Sequence, residues 1–130
     1  MNFKSVLLGS LLVLAQSVSA ATVKVSITSA MTFSPDRVQV RVGDTVEFVN
    51  ESRLPHTVTA DPSLAKDPTN VILPEGAAPF HSGRISPGKN FIHQFTVGGL
   101  YQYICLPHEG MGMRAQVEVL SAETTADTEY

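Results

Sequence analysis

Nine residues near the end of the chain, Cys105-Leu106-Pro107-His108-Glu109-Gly110-Met111-Gly112-Met113, constrain the fold more than any other stretch. They hold the only cysteine and lie between two strand-like runs, Tyr101–Ile104 and Arg114–Val119. Pro107 cannot continue a strand and fixes a turn. Gly110 and Gly112 let the loop curl, so His108 can swing back beside the Cys105 sulfur. A loop closed between two strands holds its side chains more rigidly than a free loop.

The residue types in this loop have a shared chemistry. Thiolate and thioether suit Cu(I), and imidazole suits copper in either oxidation state. A second imidazole, His56, stands far upstream in Leu54-Pro55-His56-Thr57-Val58. Two histidines, a cysteine and a weak axial methionine are the ligand set of a blue-copper electron-transfer site. The cysteine must be deprotonated, and a bound metal lowers its pKa enough for that. Each residue alone has a plainer reading. A lone cysteine is usually a small buried hydrophobe, a lone histidine a surface or satisfied core residue, and methionine core filler. Their combination predicts a site for one copper ion.

The segment from Gly99 to Met113 resembles the C-terminal copper loop of plastocyanin and pseudoazurin, members of the cupredoxins. Phe33-Ser34-Pro35, Gly43-Asp44-Thr45-Val46, Val49-Asn50 and Leu54-Pro55-His56 also resemble that family. The resemblance implies that His56, Cys105 and His108 are equatorial ligands and Met113 the axial one. Met111 competes, because it lies three residues after His108, as in amicyanin. Met113 lies five after, as in plastocyanin and pseudoazurin, and the next strand starts directly behind it; it is the preferred ligand. One departure stands out. The best-known members place asparagine after the upstream histidine, where it helps tie the two ligand loops together, and this chain has Thr57.

Residues 1–20 read as a secretory signal. Lys4 gives the positive start, Val6 to Ala15 a short apolar run, and Val18-Ser19-Ala20 a small-residue cleavage site. The apolar run is too short to span a bilayer, so no stable membrane insertion is expected. Cleavage after Ala20 would leave an exported protein, expected in a bacterial periplasm, with a cupredoxin domain over 21–120 and a polar, acidic tail over 121–130. An unpaired cysteine in an oxidising compartment asks for an explanation, and metal ligation supplies one. The 12 acidic residues outnumber the 9 basic ones. That excludes nucleic-acid binding of the usual kind, which needs a basic face.

Beyond residue 20 the chain reads as short strands with period-two alternation. Val23, Val25 and Ile27 share a face, as do Val38, Val40 and Val42. Val46, Phe48 and Asn50 share another, followed by a short strand from His56 to Ala60. Phe91, His93, Phe95 and Val97 line up, as do Tyr101, Tyr103 and Cys105, and finally Val117 and Val119. The expectation is an all-β Greek-key sandwich or barrel of about eight strands. Asp61 to Pro79 is broken by four prolines and is expected to wrap one edge, with a helical turn near Ser63–Lys66. His81 and His93 could join a second metal site, or be merely solvated or hydrogen-bonded.

No nucleophile-base-orienter set is visible, so the chain is read as no enzyme. A closed four-ligand site favours one-electron transfer, with an edge of His108 as the electron port. Leu54, Pro55, Leu106, Pro107 and Met111 would frame it as an apolar patch for brief contact between a monomer and its redox partner. Arg53, Glu109 and Arg114 would steer that contact. The alternative is a periplasmic copper-tolerance protein using the same ligands.

Overall fold

The computed structural model describes residues 9–12 and 19–121. Most of the expected leader and the tail from 122 onward lie outside the described residues. Among the described residues nine strands form two sheets. In the first, β1 (Thr22–Ile27), β2 (Phe33–Ser34), β4 (Thr45–Asn50) and β7 (Asn90–Gln94) run in the order β2-β1-β4-β7. In the second, β3 (Arg37–Arg41), β5 (Thr59–Ala60), β6 (Phe80–His81), β8 (Gly99–Ile104) and β9 (Arg114–Leu120) run in the order β3-β9-β8-β5-β6. The β1/β4 and β3/β9 pairs are parallel and the others antiparallel. This is a β-sandwich. The strand count exceeds about eight because β2, β5 and β6 have two residues each, too few to show a period.

Alternation sends Val25 and Ile27 of β1 and Val46 and Phe48 of β4 inward from one sheet. Val38 and Val40 of β3, Tyr101 and Tyr103 of β8, and Val117 and Val119 of β9 meet them from the other. Fully burying one such side chain contributes about 1.5–3 kcal/mol. Tyr103 bridges the layers, with its ring 4.8 Å from Phe33 and 5.2 Å from Phe48, both edge-on. Such pairs add about 0.5–1.5 kcal/mol beyond their burial. The same strand leads directly into Cys105, so the loop that follows hangs from the buried core.

Three local expectations change. Val42 lies past the end of β3 and is exposed, because Gly43 and Asp44 already turn the chain there. The strand expected over His56–Ala60 shrinks to Thr59–Ala60. His56 instead makes a single bridge, its N–H and C=O both bonded to Ile85. The helical turn lies at Pro68–Asn70 rather than at Ser63–Lys66, started by the Asp67 carboxylate accepting from the Thr69 N–H. The irregular segment does cover an edge. β5 meets β8 only at Thr59–Ile104, and Ile72 pairs with Gln102 farther along.

Candidate metal centre

The two ligand loops are fixed by backbone before any side chain is considered. The Cys105 N–H donates to Met113 C=O, the His108 N–H to Cys105 C=O, and the Met113 N–H to His108 C=O. The loop is thus a closed 3₁₀ turn over Leu106–Met111, kinked at His108. Gly112 ends it at φ 76°, a left-handed conformation that favours glycine. On the other side, Asn50 is fully buried and uses every hydrogen-bonding atom of its amide. Its Nδ2 donates to Leu54 and Ile85 carbonyls, and its Oδ1 accepts from the Ser52 N–H and hydroxyl. Asn50 therefore shapes the loop that carries His56.

These frames bring His56, Cys105 and His108 together, with their ligand atoms within 4.8 Å of one another. The Cys105 Sγ lies 3.5 Å from His56 Nδ1 and 3.3 Å from His108 Nδ1. Metal–sulfur and metal–nitrogen bonds at tetrahedral to trigonal angles put such atoms roughly 3.5–3.8 Å apart. The three residues present therefore fit a single soft or borderline ion. Met113 is buried at the closing end of the loop, 2% exposed, whereas Met111 is 64% exposed.

Without a metal, the electrostatics of the site favour uncharged side chains. Burial pushes the Cys105 thiol pKa up, opposed by the N–H groups of Thr57 and His108 and by the Thr57 side chain. Burial, and then the neighbouring His108, hold His56 below the ordinary imidazole range. Neutral imidazole is the ligand form, and metal binding supplies the driving force to deprotonate the thiol. The Thr57 N–H donates to Cys105 Sγ at 3.4 Å. The Thr57 hydroxyl accepts from the Leu106 N–H at 2.9 Å. Threonine thus links the two ligand loops where the relatives' asparagine was the expected tie.

Glu109 departs from expectation. It is buried, so it cannot steer a partner. Its carboxylate accepts from the Lys66 and Asp67 N–H groups, at 2.8 and 2.9 Å, and from Asn70 Nδ2 at 3.1 Å. It latches the 61–79 segment onto the metal loop. Sequence reasoning missed this role and those of Asn50 and Ser52. An amide on the inward face of a hydrophobic strand was the one available signal. His81 and His93 join no metal cluster among the described residues. His81 Nδ1 is 2.8 Å from Thr59 Oγ1. His93 stacks on Phe80 at 3.9 Å, and burial lowers its pKa.

The profile of copper-binding proteins of the plastocyanin/azurin family matches residues 19–120. A plastocyanin from Scenedesmus fuscus is 33% identical over 103 residues, covering 75% of this chain and 97% of the relative. A chloroplastic plastocyanin from Tetradesmus obliquus is 33% identical over 108 residues, covering 82% and 71%. An oxidised amicyanin variant has a similar structure, with TM-score 0.59, 28% identity and coverage of 75% and 81%. A copper-containing nitrite reductase from Thermus scotoductus has TM-score 0.61 and 27% identity, covering 83% of this chain but 24% of the enzyme.

Proposed function

The chain belongs to the plastocyanin/azurin family of copper-binding proteins, and from that premise we propose that it is an exported one-electron carrier. The proposed ligands are His56, Cys105, His108 and Met113. One feature carries the reading: two of the clustered side chains are sealed and the third reaches the surface through an apolar rim. His56 and Cys105 are 1% and 0% exposed. His108 is only partly buried, and Leu54, Pro107 and Met111 on the two loops are exposed.

Copper held here would supply a one-electron couple between Cu(I) and Cu(II). The protein's own contribution is to hold the donors still. The closed turn and the Glu109 latch resist movement of Cys105 and His108, and the Asn50 network resists movement of His56, which keeps reorganisation on electron exchange small. The Thr57 N–H on the sulfur tunes its electron density. Leu54, Pro107 and Met111 offer a small apolar contact with no strong charge pairing, which suits short-lived encounters. Arg53 and Arg114 are the exposed charges left for steering. Among the described residues no helix is long and apolar enough to cross a membrane. Cleavage after Ala20 and a periplasmic location complete the reading.

The test is an absorption spectrum with a redox titration of the copper-loaded protein. A strong thiolate-to-copper band, lost in Cys105→Ser, and a reversible one-electron couple are expected. A copper-loaded protein with no such couple would overturn the carrier role.

A further inference from the structure

The exposed charges are sorted by sign between the two ends of the sandwich. β8 runs toward the metal loop and β9 away from it, so the Ile104–Arg114 pair marks the metal end. β4 closes at the same end with Asn50, whose amide shapes the His56 loop. Arg53 and Arg114 are not alone there. Arg53 stands in the His56 loop between Ser52 and Leu54. Arg84 precedes Ile85, whose N–H and C=O bracket His56. The Lys89 C=O accepts the Asn50 N–H. The Lys66 N–H is held by Glu109, the neighbour of His108. Arg114 follows Met113 and donates to the uncharged Asn70 side chain at 3.4 Å. All five cations are exposed, and none forms a salt bridge among the described residues.

The carboxylates at this end do not cancel them. Glu51 is paired with Lys24 at 2.6 Å. Glu109 is buried against three N–H donors. Asp36 and Asp67 are the exposed carboxylates that remain. The opposite end carries Asp44, just before β4, and Glu75, just after Pro74, which packs over Gly99 at the start of β8. Arg41 lies at that end too, its N–H donating to the Asp44 carboxylate. We propose that the metal end is the docking face for an acidic redox protein, steered by Arg53, Lys66, Arg84, Lys89 and Arg114 onto the apolar rim of Leu54, Pro107 and Met111.

The whole chain has a net charge of −3, which from afar repels an acidic partner. Close approach differs, because salt screens exposed charges beyond about 10 Å at 0.1 M ionic strength. A partner at the metal end then feels the near cations and little of the far carboxylates. Opposite signs at the two ends turn the molecule so that its metal end leads. Complementary potentials speed encounter and reject like-charged partners. Exposed ion pairs contribute at most about 1 kcal/mol each, so the complex stays short-lived. Three of the cations are arginines, whose planar fork suits carboxylates. An anionic membrane fits less well. Binding there calls for an amphipathic helix or a continuous basic run, and no two of these cations are adjacent in the chain.

This face rests on the electron-carrier reading, and the test separates the two. The Cu(I) protein is oxidised by ferricyanide, a trivalent anion that takes one electron to become ferrocyanide. It is oxidised separately by tris(phenanthroline)cobalt(III), a trivalent cation that takes one electron to become cobalt(II). Between about 10 and 300 mM salt the ferricyanide rate should fall about tenfold and the cobalt rate should rise. Arg53→Gln combined with Arg84→Gln should flatten the ferricyanide slope while the copper absorption band is kept. Arg41→Gln, the same kind of charge loss at the far end, should leave the slope unchanged. Without copper, hexacyanocobaltate(III), a redox-inert trivalent anion, should shift the NMR amides of Arg53, Arg84 and Arg114 and not those of Asp44 and Glu75. At low salt a cytochrome c with an acidic haem edge should exchange electrons faster than one with a basic edge. A ferricyanide rate that rises with salt, an Arg41→Gln effect as large as that of the paired variant, or preference for the basic cytochrome overturns the face alone. Retention on phosphatidylglycerol vesicles at about 0.1 M salt, where surface charges are screened, overturns the protein partner in favour of a membrane. Oxidation by neither reagent overturns the carrier reading, whereas the hexacyanocobaltate map still decides where the positive face lies.

Discussion

The ligand atoms of His56 and Cys105 lie 3.5 Å apart although 49 positions separate the two residues. No local rule links them. The contact depends on β5 pairing with β8 at Thr59–Ile104, and on Asn50 and Ile85 holding the His56 loop above that junction.

Asn50 is therefore expected to support both stability and the metal site. Asn50→Ala removes four hydrogen bonds, those to the Leu54 and Ile85 carbonyls and those from the Ser52 N–H and hydroxyl. A loss of about 2–4 kcal/mol is expected, at the upper end for a buried, fully used amide. Urea titration of the metal-free protein checks this. A loss below about 0.5 kcal/mol would show that the loop holds without it.

Glu109 should make the 66–70 segment acid-sensitive. Burial raises its pKa, but the N–H groups of Asp67 and Lys66 and the Asn70 amide outweigh it, so the folded pKa is lowered. A carboxyl depressed on folding contributes stability above its unfolded pKa, and that contribution is lost as pH falls through the folded value. Protection of the Lys66 and Asp67 amides against hydrogen exchange should therefore drop below about pH 4, near the unfolded glutamate value. In Glu109→Gln, which turns a donor toward one of these donors, it should be low at pH 7 too. That variant should lose about 2 kcal/mol.

The two methionines should behave differently. Met113→Leu should shift the copper spectrum and raise the potential by removing the weak thioether donor. Met111→Leu should leave both unchanged, because that side chain is exposed on the rim. The reverse pattern would make Met111 the axial ligand.

Tyr103 carries a buried hydroxyl without a hydrogen-bond partner on the protein among the described residues. Burial pushes its pKa well above the usual phenol range. Tyr103→Phe keeps the ring contacts and removes a desolvated hydroxyl. Thermal unfolding should show equal or greater stability, by up to about 1 kcal/mol. A marked loss would mean that the hydroxyl is satisfied in solution.

The Ala21 nitrogen lies 2.8 Å from Asp44 Oδ1. Leader removal after Ala20 would turn that amide into an ammonium facing a carboxylate. Its pKa would be raised, so the added stability is full below the unfolded α-amino value, about 7.7, and lost as pH rises through the folded one. A chain beginning at Ala21 should unfold at a higher temperature at pH 6 than one extended by a residue. Asp44→Asn should abolish the difference, and equal melting of the two chains in the parent sequence would dismiss the pair.

Much of the candidate site was legible because its chemistry is local. Cys105, His108 and Met113 sit in one loop whose proline and glycines dictate a turn, and alternation told which faces of β1, β4, β8 and β9 turn inward. Short-range sterics and period-two burial act along the chain, so they can be read from it. The closeness of His56 to that loop, Glu109's inward turn, the Asn50 network and the gathering of Arg53, Lys66, Arg84 and Arg114 at one end were decided only in three dimensions. They depend on which strands pair and at what register. A buried polar group meets partners tens of residues away, and only the closed sandwich decides whether its cost of leaving water is offset.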